Sequence, residues 1–113
     1  MAYDEALAAR MREALGGGSR LTEKRMMGGA CFMLDGNMVG GADRSKEGVA
    51  RFMFRLGKDN HAKGESMPGA IPMIQGGRAL RGFFFVESDG CTDEILGQWV
   101  RLAKSLVAKL PPK

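Results

Sequence analysis

Tyr3, Leu7, Met11 and Leu15 recur four positions apart, with Ala8 and Ala14 beside them. That stripe predicts an amphipathic helix over residues 3 to about 15. Asp4 and Glu5 stand in or beside its first turn, where the helix dipole favours acids. Gly16, Gly17, Gly18 and Ser19 stop it. Residues 21–26 suit either a short strand or an extended arm. After Gly28 and Gly29, residues 30–34 form a compact apolar run, and residues 38–42 form a second. Asp35, Gly36 and Asn37 between them tolerate positive φ, so the two runs predict a hairpin.

A polar loop, DRSKEG at residues 43–48, leads into residues 49–56. There the alternation is clean: Phe52, Phe54 and Leu56 face one way, and Arg51, Met53 and Arg55 the other. One face of that strand meets a core; the other is wet or partnered. Residues 58–64 read as one or two helical turns. The prolines and glycines of ESMPGAIPMIQGGRA make it mostly loop. Residues 73–75 and 80–86 predict a second hairpin around Gly76 and Gly77, with Phe83, Phe84, Phe85 and Val86 as its core strand. The last element is a helix over residues 92 to about 108. Ile95, Leu96, Trp99, Leu102, Ala103, Leu106, Val107 and Leu110 form its apolar stripe. Thr92 is its candidate N-cap. The order is α-β-β-β-α-β-β-α, an α+β fold with a mainly antiparallel sheet.

A chain of 113 residues makes one domain with one core. Its 44% hydrophobic and 27% charged residues exclude general disorder. No run approaches the roughly 18 apolar residues of a membrane span. The first residues lack a basic segment followed by an apolar one, so a cytoplasmic location is expected. Cys31 and Cys91 are then expected as reduced thiols. With His61 alone beside them, they fall short of the four ligands of a structural zinc site, and neither metal nor cofactor is expected. The net charge of +4 permits contact with nucleic acid without demanding it.

Two glycine pairs bracket the first hairpin, in RMMGGACFMLDGNMVGG. A phosphate loop needs a glycine-rich turn opening a helix, and neither pair has one. The simpler expectation is a positive φ at Gly28 or Gly29, or a close backbone approach, with a bulge or close approach again at Gly40 and Gly41. Met26, Met27, Met33 and Met38 crowd this hairpin, among nine methionines in the chain. Core packing is the ordinary use of such side chains; an adaptable binding surface is the functional one.

Arg25-Met26-Met27-Gly28-Gly29, the turn Leu34-Asp35-Gly36-Asn37-Met38, the strand from Phe52 to Gly57 and the last helix with Trp99 together resemble the N-terminal domain family of the TfoX/Sxy competence regulators. The likeness covers about residues 3 to 110. Met26, Gly28, Gly29, Asp35, Gly36 and Trp99 carry its structural motif. Met27 stands where the family has an aromatic, Phe52 or Phe54 where it has a tyrosine, and Met73 where it has a phenylalanine. The resemblance implies a two-layer α+β sandwich similar to secretion chaperones, and no catalytic residues. The competence regulators carry a second, C-terminal domain, so a role needing both is not carried over.

Cys91, before the last helix, reads as a semi-exposed thiol without a base, and Cys31 as a buried small residue. His61 has no nucleophile and acid around it in sequence and reads as solvent-exposed. Arg51 and Arg55 share a strand face, and Arg78 and Arg81 lie on another strand, so a basic sheet face could contact phosphates. These features favour a non-catalytic regulatory module acting through protein contact, as a homodimer, with Met27, Met33 and Met38 at its interface. The alternative is a nucleic-acid-associated regulator using Arg51, Arg55, Arg78 and Arg81. A third reading, small-molecule binding or an enzyme, needs a cavity under the glycine-thinned sheet. No membrane partner is expected.

Overall fold

The computed structural model describes residues 3–26 and 28–113. Helix α1 (Glu5–Leu15) runs into strands β1 (Leu21–Met26), β2 (Gly29–Leu34), β3 (Asn37–Arg44) and β4 (Ala50–Arg55). A 3-10 turn (Lys58–Asn60) and short helix α2 (His61–Glu65) lead to the hairpin β5 (Ile71–Gln75) and β6 (Arg78–Glu87), and helix α3 (Asp93–Val107) follows. The segment open between strand and arm is strand β1. The sheet has six strands in the order β1-β2-β3-β4-β6-β5, and every neighbouring pair is antiparallel. Among the described residues, no helix is long and apolar enough to cross a membrane.

Each long helix is held where its sequence signals stand. Asp4 caps α1 by accepting the Leu7 amide at 3.1 Å, and Gly16 ends it with a left-handed φ of 91°. Thr92 caps α3 by accepting the Ile95 amide at 3.2 Å. Both helices lie across β3 and β4 on one face of the sheet. Gly64 of α2 sits against Phe84 and Leu56 on that same side. The alternation of β4 therefore resolves as expected: Phe52, Phe54 and Leu56 are fully buried under the helices.

Trp99 fixes the centre of this core. It stacks on Phe54 at 5.3 Å, meets Phe84 at 5.7 Å, and donates its indole N–H to the Pro68 carbonyl at 3.0 Å. One side chain thus ties α3, two strands and the loop before β5 together.

The glycine pairs bend and thin the sheet. Gly28 has a φ of 80°. A Cβ on Gly29 would stand 2.8 Å from the Ala42 carbonyl oxygen. Opposite Phe32 and Met33, strand β3 pairs through Gly40 and Met38, and Val39 is the extra residue of a bulge. Gly40 then faces the helices, where a Cβ would lie 2.7 Å from the Met11 Cε. The turn between β2 and β3 is Asp35 and Gly36, both at positive φ. The Arg20 guanidinium clamps the Asp35 carboxylate and holds it below the usual carboxylate range.

Two expectations fail at the edge of the core. His61 is buried rather than exposed. Its ring lies against Phe84 at 5.0 Å, and its Nδ1 accepts the Gly82 amide at 2.9 Å. Gly82 (φ 84°) belongs to the irregular stretch of β6 and packs directly on the Gly57 backbone. That leaves its amide needing a side-chain acceptor. Cys91 is buried rather than half-exposed, because the turn after β6 folds it into the core ahead of α3.

Candidate functional site

The helices cover one face of the sheet, and the side chains alternating with the core point to the other. Register aligns them into a row across all six strands: Lys24, Cys31, Gly41, Met53, Phe85 and Ile71. A parallel row runs through Asp43, Arg51 and Glu87. On the other side Met33 pairs with Met38, and Arg55 with Phe83. Of these, Cys31, Met38, Gly41, Asp43, Arg51, Met53, Phe83 and Phe85 line an open groove of about 600 Å³. Met53, Phe83 and Phe85 lie in its floor, Met26 at one rim, and Met73, Ile74 and Leu80 of the β5–β6 hairpin at the other.

The polar groups of this face are few. Arg51 holds Asp43 in a two-pronged ion pair, with Nε to Oδ1 at 2.8 Å and Nη2 to Oδ2 at 3.3 Å. Its guanidinium also lies 3.7 Å from the centre of the Phe85 ring. Arg51 is thereby fixed flat against the floor. Arg55 reaches the Met38 carbonyl at 3.4 Å. Burial pushes the Cys31 thiol up, and the nearby charge of Lys24 offsets part of that. A thiol held in its neutral form is a poor nucleophile. Cys91 is pushed up by burial in the same way.

His61 sits among the core residues on the helix side, so the face has no imidazole base. Among the described residues, no group of three or more His, Cys, Asp or Glu is gathered as a metal would require. What the face offers is apolar area, soft thioethers, and cations near its margins.

The sequence-derived candidates divide accordingly. Gly28, Gly29, Asp35 and Gly36 shape turns and close approaches, and Trp99 is core. Met38 lines the groove, Met33 pairs with it, and Met26 stands half-exposed on the rim. Met27 lies outside the described residues. Among the nine methionines, Met11 is fully buried in the core, while Met26, Met38, Met53 and Met73 line the groove. Arg51 and Arg55 share the face, and Arg78 joins them through its register with the groove residue Gln75. Arg81 is exposed beside the Gly82 irregularity, while Leu80 and Phe83 flanking the two line the groove.

The sequence reading does not single out Phe83, Phe85, Cys31 and Leu80 as site residues. The signal was present in FFFV, an unbroken apolar run on a strand with helices over one face only.

The family model for the TfoX N-terminal domain matches residues 13–106. The chain belongs to the TfoX N-terminal domain family. No curated protein and no solved structure shows significant similarity to it. The TfoX N-terminal match takes in all six strands and all but the last residue of α3, so the whole groove lies within the family region.

Proposed function

We propose that this TfoX N-terminal domain is a non-catalytic regulatory module that works by docking a protein on the open face of its sheet. The observation that carries the reading is the groove itself. Methionines and phenylalanines occupy sheet positions that a solvated face would fill with polar residues, and no described element covers them. Two kinds of protein can cover it, a second copy of the chain or a different partner. A dimer through this face would have twice the 12.2 kDa mass and fall apart when Met53→Glu places a charge in the floor.

The test is a photo-crosslinking amino acid placed in living cells at Phe85, with a control at the exposed Glu94 of α3. Protein adducts at Phe85 and none at Glu94 are expected. Equal labelling at both positions, or none at Phe85, rejects the reading.

A second reading, contact with nucleic acid, is favoured by the net charge of +4 and by Arg51, Arg55 and Arg78 on one face. It competes with the commitment of Arg51 to Asp43 and Phe85. Phosphate binding would show as affinity for a random duplex that drops steeply between about 50 and 200 mM salt. Affinity absent at both salts removes it.

A further inference from the structure

We propose that the occupant of the open face is an amphipathic helix with an acidic polar side, carried by a different protein. The inference rests on the docking reading above and names the chemistry of the partner.

Shape selects a helix. The floor runs from β2 to β6, three strand spacings of about 4.8 Å, so it is roughly 14 Å wide. A helix with its side chains is about 10–12 Å across. An extended peptide laid on this floor would press its backbone N–H and C=O groups against methionine and phenylalanine side chains, where they would go unpaired. A helix satisfies those groups internally. Strand addition at an edge is opposed at both sides of the sheet. β5 carries Pro72, and β1 is a run of Thr22, Glu23, Lys24 and Arg25.

Charge selects the acidic side. Lys24, Arg51, Arg55 and Arg78 are the cations of the face, against the carboxylates of Asp43 and Glu87. Asp43 is taken by Arg51. Among the described residues, Lys24, Arg55 and Arg78 are in no ion pair with a carboxylate. Lys24 and Arg78 stand on opposite sides of the groove, so they flank whatever lies in it. A second copy would bring another chain of charge +4 and the same cations to the contact. An acidic helix meets them with the opposite sign.

The experiment uses the full chain and three labelled synthetic peptides of equal length, read by fluorescence anisotropy. One has a Leu and Phe face with a Glu polar side, one the same face with a Lys polar side, and one the acidic composition scrambled to remove the apolar face. The acidic amphipathic peptide should bind about tenfold more tightly than its Lys counterpart at 50 mM salt, with the gap narrowing at 200 mM. The scrambled peptide should not bind. Substituting Lys24, Arg55 and Arg78 together by Gln should shrink the preference. Amide shifts in a nuclear magnetic resonance titration should map to β4 and β6, which checks the site without any core substitution.

Equal affinity for the Glu and Lys peptides overturns the proposal, and so do shifts that map elsewhere. Dodecanoate binding where no peptide binds would make the groove a small-molecule site instead. A dimer in light scattering that Met53→Glu dissociates would make the occupant a second copy. Adducts at Phe85 without any peptide preference would overturn the helix chemistry and leave protein docking standing. Loss of the adducts as well would remove both.

Discussion

His61 accepts a hydrogen bond through Nδ1 from the Gly82 amide, so its ring proton sits on Nε2, on the side where the Glu65 carboxylate lies 3.7 Å away. The bond closes the one irregular stretch of β6, and its loss strands a buried N–H. His61→Ala should destabilise the fold by about 1–3 kcal/mol, the usual cost of an unpaired buried donor. Urea unfolding at neutral pH measures it, and a change under ~0.5 kcal/mol would mean that water replaces the ring. A single histidine after Lys-Asp-Asn carries no local sign of this role. Gly82, its partner, lies 21 positions along the chain.

At the scale of elements, the helices followed their sequence signals closely. The apolar stripe and Gly16 marked α1, and the Thr92 cap marked α3. Asp4 offers a test with a definite sign. The Leu7 amide and then the Arg44 guanidinium, at 2.7 Å, hold its carboxyl below the usual value of 3.8. A lowered folded value means stability that is present above the unfolded value and is lost as pH falls through the folded one. Asp4→Ala should therefore cost about 0.5–2 kcal/mol at pH 7. The gap to the parent should close as pH drops below 3.8. Chemical denaturation of both proteins at several pH values follows it. A gap that persists unchanged in acid would show that the cap acts without its charge.

The strands were legible as elements, and the alternation of β4 correctly separated its two faces. The methionines were not so legible. Core packing is their ordinary reading, and among the described methionines only Met11 is fully buried, with Met67 packed against the core. Hydrophobicity reports that a residue avoids water but not which surface it avoids water against. Met53 and Phe54 are neighbours in sequence and lie in different environments.

For the whole molecule, that pair separates stability from docking. Phe54→Ala removes a fully buried ring stacked on Trp99 and should cost about 3–5 kcal/mol. Met53→Ser, on the open face, should cost about 1 kcal/mol or less and still abolish the docking adducts at Phe85. Thermal melts of the two variants, beside the crosslinking assay, check both halves. Equal destabilisation would mean that both faces are core. The fold is thus built from one side of the sheet, and no described helix packs on the other.

Residue order alone determined the helices, the hairpin turn at Asp35 and Gly36, the two-faced strand β4 and the likeness to the TfoX N-terminal family. The elements depend on spacing within a few positions, which local backbone chemistry enforces, and the family likeness on the order of those motifs along the chain. Tertiary structure alone decided that the helices share one side of the sheet. It also set the register that gathers residues from Lys24 to Ile71 into one row, and it buried His61 and Cys91. Those outcomes depend on pairing between strands far apart in the chain. Such pairing is set by how the whole core closes around Trp99, and no short window of sequence contains it.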